Sequence, residues 1–87
     1  MGYYFIAYDI VNNRRRAKIS RILEKEGTRL QKSLFFVNSS QSQVAGTVKK
    51  LSEFLKDEDS LLVTPACVTC MDKATYHGPG ALVSMVA

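Results

Sequence analysis

Asp9 stands apart: no other acid occurs before Glu24. It closes the apolar run Tyr3–Ile10, and the carboxyl end of a strand is where open sheets commonly receive ligands. A carboxylate there can hold a divalent cation, or serve as a turn carboxylate paired with a nearby arginine. Mg²⁺ keeps several waters and takes one or two carboxylates plus substrate phosphates, so a single Asp9 is half of such a site. A second copy of Asp9 across a two-fold axis would complete it and present an activated water to a phosphodiester.

Cys67-x-x-Cys70 is the second constellation. One CxxC is half of a tetrahedral zinc site, and His77 would supply a third ligand. A redox motif of thioredoxin type is expected near an early βαβ unit, whereas this one follows the last long apolar strand. Reduced, structural thiols in a tight turn are the expected reading of the pair, with metal binding the alternative. With two cysteines in the whole sequence, no disulfide framework is expected.

The third feature is charge. Among 87 residues with 12 Lys+Arg and 8 Asp+Glu, eight basic residues fall between Asp9 and Lys32 against three acids. That window carries an excess of five positive charges, and the rest of the chain is net −1 beside the formal +4. Arg14, Arg15, Arg16, Lys18 and Arg21 make up its densest part and are the candidate nucleic-acid-binding residues. Such a patch attracts polyanions by releasing their condensed counterions; a merely solvated helix face is the alternative.

The elements that position these groups are legible. Tyr3–Ile10 is aromatic and β-branched with both faces apolar, a strand expected to be covered on both sides. Asn12 or Asn13 caps a helix running to Glu26, with Gly27 at its C′ position. Thr28–Val37 reads as a second strand whose alternation changes phase near Ser33–Leu34, predicting a bulge or a split into two short strands. Ser40 and Gln43 form a capping box, after which Val44, Val48, Leu51 and Leu55 share one helix face. Asp57-Glu58-Asp59 is expected to end that helix. Ser60–Ala66 is a strand whose Pro65 marks an edge or an end, and short segments at Lys73–His77 and Ala81–Val86 follow.

The order β-α-β-β-α-β predicts one ferredoxin-like α+β sandwich over residues 1–87. Its helices cover one sheet face, and a homodimer is the simplest cover for the other. The apolar fraction of 46% with 23% charged is that of a folded globule. No run approaches the ~18 apolar residues of a membrane span, and MGYYFIAYDI lacks the basic start and cleavage site of a signal peptide. A cytoplasmic protein without membrane contact is expected.

In order and spacing, Tyr8-Asp9-Ile10, Arg14-Arg15-Arg16-x-Lys18, Gly27-Thr28-Arg29, Gln31-Lys32-Ser33-Leu34-Phe35 and Leu62-Val63-x-Pro65-x-Cys67-x-x-Cys70 resemble the small CRISPR-associated Cas-two family. The resemblance covers Tyr3 to about His77. It implies a ferredoxin-like homodimer whose C-terminal strand, here within 78–87, crosses to the partner's sheet. It also implies a Mg²⁺-dependent endonuclease acting on single-stranded RNA or duplex DNA, and the central dimer of the spacer-acquisition complex with the Cas-one integrase. The family's metal carboxylate falls on Asp9, and its supporting positions on Tyr8, Arg16, Lys18, Arg29, Ser33 and Phe35. Lys18 stands where the family often has Arg, a point charge in place of a planar fork. The expected function is thus CRISPR adaptation with metal-dependent phosphodiester cleavage. A non-catalytic DNA-binding scaffold between Cas-one dimers is the second reading, and a metal-handling module using the CxxC is the third.

Overall fold

The structure, a computed structural model, describes residues 2–67 together with 69, 73 and 75. Six elements follow in chain order: β1 (Gly2–Asp9), α1 (Asn13–Glu26), β2 (Thr28–Gln31), β3 (Leu34–Ser39), α2 (Gln41–Ser52) and β4 (Ser60–Ala66). The strands form one antiparallel sheet in the order β2-β3-β1-β4, the ferredoxin-like arrangement expected from the sequence. β1 is central and pairs with β3 on one side and β4 on the other, so Asp9 lies opposite Ser60 at one end of the sheet.

Local chemistry explains each boundary. Asn12 caps α1, its Oδ1 accepting from the Arg15 backbone N–H at 3.0 Å. The helix ends at Gly27, which donates its N–H to the Leu23 carbonyl. Gly27 is extended (φ −159°), so a left-handed turn is not what selects glycine here. A Cβ at this position would lie 2.3 Å from the Phe36 carbonyl oxygen and 2.8 Å from Val37 Cγ2. Close approach of two backbones selects it instead.

The phase change near Ser33 is a split. Lys32 and Ser33 form a turn between β2 and β3, with a register shift between Arg29 and Gln31. The Ser40–Gln43 capping box is present at the start of α2. That helix stops at Ser52, short of the expected acidic triplet, because the chain tightens: Phe54 N–H bonds the Leu51 carbonyl and Leu55 N–H the Ser52 carbonyl. Leu55 therefore packs on the core from beyond the helix end.

Ile6, Tyr8, Ile10, Ile19, Leu23, Phe35, Val37, Val44 and Leu51 are buried together between sheet and helices. Removing one of these larger side chains to Ala costs about 2–5 kcal/mol. The opposite sheet face carries a smaller cluster, Leu30 and Phe36 with Tyr3, Phe5, Leu34 and Ala66 packed against them. Tyr3 stacks on Phe36 at 5.4 Å between ring centroids. β1 is thus apolar on both faces, as its composition required, with Tyr3 and Phe5 only half-buried. Among the described residues no helix is long and apolar enough to cross a membrane. The expected segments 73–77 and 81–86, and with them Cys70 and His77, lie outside the described residues apart from isolated positions.

Candidate nucleic-acid interface

The end of β1 is tied to the β2–β3 turn. The Tyr8 backbone N–H donates to the Ser33 carbonyl at 3.0 Å, and the Tyr8 hydroxyl donates to the Lys32 carbonyl at 3.2 Å. Lys32 and Ser33 are thereby held beside Asp9. Tyr8 also stacks on Phe35 (6.2 Å, 21° between planes), and the Arg29 guanidinium lies 5.4 Å above the Phe35 ring. Both aromatics are buried, so they support the site from beneath and offer no face for base stacking.

The helix supplies the other wall. Arg16 donates from Nη1 to the Ile10 carbonyl at 3.1 Å and from Nη2 to Asn13 Oδ1, which folds its guanidinium over the β1–α1 connection. One helical turn further on, Ser20 and Glu24 accept from Arg29 Nη2. The result is a cleft of about 810 Å³ lined by Tyr8, Asp9 and Ile10, by Asn13, Arg16, Ala17, Ser20, Arg21 and Glu24 of α1, and by Arg29, Lys32 and Ser33. Four cations and two carboxylates face it. Asp9 is exposed at the strand end, as are the Arg16, Arg21 and Lys32 residues around it.

Of the seven catalytic candidates, Tyr8, Asp9, Arg16, Arg29 and Ser33 line this cleft and Phe35 floors the Arg29 side of it. Lys18 points elsewhere: its ammonium lies 5.0 Å from the centre of the Phe54 ring, on the flank facing the chain after α2. The basic run also divides. Arg14, Lys18 and Arg21 are exposed on α1. Arg15 turns inward and is held by Asp59 (Nη2–Oδ2 2.9 Å, with Nε on the same oxygen at 3.0 Å) and Glu58 (3.3 Å). Arg14 and Arg16 on either side of it stay exposed, while Arg15 is committed to the fold.

Asp59, expected with Asp57 and Glu58 to end α2, lies beyond the end of that helix and anchors the start of α1 instead. Its side chain is fully covered, and it accepts from the Lys56 and Val11 backbone N–H groups as well as from Arg15. Burial raises its carboxyl pKa, but the two backbone donors and the Arg15 guanidinium outweigh that and hold it below its ordinary value. No local pattern announces a contact between residues 15 and 59. Glu24 was also missed as a cleft residue, although Asn13, Arg16, Ser20 and Glu24 recur at helical spacing and so share one flank. Among the described residues no three His, Cys, Asp or Glu side chains gather into a metal cluster. Within one chain Asp9 and Glu24 are the carboxylates that line the cleft, and Glu24 is paired with Arg29. Cys67 is exposed just past β4.

Fold and site together define a ferredoxin-like module with a cationic helix and a strand-end carboxylate opening onto one cleft, a surface suited to phosphate. Residues 1–74 match the family model described as CRISPR associated protein Cas2. The chain is 34% identical over 79 residues to the CRISPR-associated endoribonuclease Cas2 4 of Rhodospirillum rubrum, covering 90% of this chain and 64% of that one. It thus spans a little under two thirds of that relative's length. Its fold is shared with Streptococcus pyogenes Cas2 (TM-score 0.76, 16% identity, 87% and 99% of the two chains). It is shared too with a chain of a partial Cas6-RT-Cas1–Cas2 complex (TM-score 0.68, 24% identity, 86% and 89%). The chain belongs to the CRISPR-associated Cas2 family.

Proposed function

We propose that this protein is a cytoplasmic CRISPR adaptation component that binds nucleic acid as a homodimer, joins a Cas1 integrase, and cleaves phosphodiesters in RNA or DNA with Mg²⁺. The observation that carries the reading is the placement of Asp9, exposed at the end of β1 on the rim of a cleft holding four cations. Arg16, Arg29 and Lys32 would bind phosphate oxygens there, while Arg14, Lys18 and Arg21 along α1 track the backbone. Ser33, fixed by the Tyr8 N–H, would position the strand entering the cleft. The names of the relatives support the activity, one being called an endoribonuclease and another chain belonging to a Cas1–Cas2 complex.

The donor set fits a divalent ion only when two copies each contribute Asp9, because one carboxylate per chain leaves the remaining positions to water and substrate phosphate. A bound ion would supply Lewis-acid polarisation of the phosphodiester. The chain's own share is to hold the phosphates and exclude alternative geometries. Asp9→Asn removes the carboxylate charge while keeping its shape. It should abolish Mg²⁺-dependent cleavage of both single-stranded RNA and duplex DNA, and leave equilibrium binding within about twofold. Cleavage that persists in Asp9→Asn would refute the catalytic assignment.

The second reading is a non-catalytic scaffold gripping duplex DNA between Cas1 dimers. It is favoured by the single cleft carboxylate not engaged by an arginine, since Glu24 is held by Arg29. The two readings separate in the same assay: the scaffold binds duplex DNA with no Mg²⁺-dependent product in the native chain.

A further inference from the structure

We infer that Glu24 is a built-in phosphate surrogate: it pairs with Arg29 at the cleft wall and must be displaced by a phosphodiester, so it sets how tightly the cleft holds nucleic acid. The inference rests on the nucleic-acid-binding reading above and deepens it.

Three observations lead there. Arg29 is pre-oriented, its guanidinium laid over Phe35 and its Nη2 directed into the cleft wall formed by Ser20 and Glu24. Glu24 Oε1 accepts from that nitrogen at 2.9 Å and from the Ser20 hydroxyl at 3.3 Å. Finally, the pair is open to solvent, with 43% of the Arg29 and 53% of the Glu24 side chain exposed. A carboxylate and a phosphodiester each offer an arginine two acceptor oxygens and one negative charge, so one guanidinium fork serves either.

The contrast with Arg15 and Asp59 fixes the role. There the carboxylate is fully covered and also anchored by two backbone N–H groups, so no ligand can replace it. Glu24 has no backbone anchor of that kind. An exposed ion pair contributes little net stability, and an incoming polyanion gains counterion release that a lone carboxylate does not. The protein thus holds one arginine permanently and one conditionally. Glu24 neutralises one of the four cleft cations until substrate arrives, which disfavours ligands too weakly charged to compete.

The test is a double-mutant cycle of Glu24→Gln and Arg29→Gln in the full chain. Binding of fluorescein-labelled single-stranded RNA and duplex DNA is measured across a salt series. Glu24→Gln should tighten binding by about two- to fivefold and leave the salt slope unchanged, because Arg29 meets a phosphate in both complexes. Arg29→Gln should weaken binding, and adding Glu24→Gln to it should then bring no gain. A gain of the same size in the Arg29→Gln background means simple relief of repulsion and overturns the inference. So does an unchanged affinity in Glu24→Gln alone. If the native chain binds neither oligonucleotide, the functional reading itself falls, and this inference with it. Should Arg29→Gln fail to fold, pyrophosphate titration followed by the Arg29 side-chain N–H resonances decides. Movement of the native Arg29 resonance on titration to the pyrophosphate-bound position seen in Glu24→Gln supports displacement, and a native resonance that keeps its starting position through saturation refutes it.

Discussion

At Asp59 a carboxylate that reads as one of three acids in a linker is the most heavily bonded side chain of its segment. It joins the start of α1, through Arg15 and the Val11 N–H, to the chain entering β4. Its pKa is lowered from an ordinary value of 3.8. A depressed carboxyl contributes stability that is fully present above its unfolded value and is lost as pH falls through the folded one. Acid titration of the native chain should therefore show a loss of melting temperature beginning below about pH 4. Asp59→Asn should be less stable at neutral pH and should lose that part of the acid dependence. An unchanged acid profile in Asp59→Asn would assign it to other carboxylates. Arg15→Ala should likewise lower the melting temperature more than Arg14→Ala does, because it strands a covered charge.

At the scale of elements, α1 sorts its charges by face. Arg14, Lys18, Arg21 and Lys25 fall at i, i+4, i+7 and i+11 and form a solvent stripe, all exposed. Asn13, Arg16, Ser20 and Glu24 line the cleft, Arg21 borders both the cleft and the stripe, and Ile19 and Leu23 are buried in the core. Reversing Arg14 and Arg21 to Glu should flatten the logarithmic salt dependence of duplex binding by about two units without unfolding the chain. A native slope in that variant would place the footprint off this helix. The elements were readable because their signals are local: Asn12 caps α1, Ser40 and Gln43 cap α2, and the phase of Thr28–Val37 marks the turn. Asp9 was readable for the same reason, being a lone acid at a strand end. What escaped depends on distance. Arg15 and Asp59 are 44 residues apart, and Lys18 meets Phe54 only because the chain after α2 turns back toward α1. The end of α2 was misplaced because Leu55 keeps the helical apolar spacing while the backbone has already tightened at Phe54.

As a whole, the molecule is a slab about 19 Å thin in its shortest dimension, enough for one sheet and one helix layer. The helices take one face. On the other, Tyr3 and Phe5 are half-buried and Leu62 is 62% exposed. Leu61 and Val63 pack on the core, so strand alternation directs Leu62 away from it, beside Thr64 and Ala66. A two-fold pairing of this face would bury each such residue twice, once per copy. It would also bring a second Asp9 into the same assembly, which the proposed metal site requires. Leu62→Lys tests this at little risk to folding, since the side chain contributes nothing to the main core. Losing a buried leucine from both copies, at about 1.5–3 kcal/mol each, should weaken dimerisation by more than tenfold in sedimentation equilibrium. Mg²⁺-dependent cleavage should fall in parallel and recover at higher protein concentration, because the carboxylate pair returns with the dimer. Unaltered self-association in Leu62→Lys would move the interface off this face. Cleavage that stayed constant while the dimer dissociated would instead show that one Asp9 suffices.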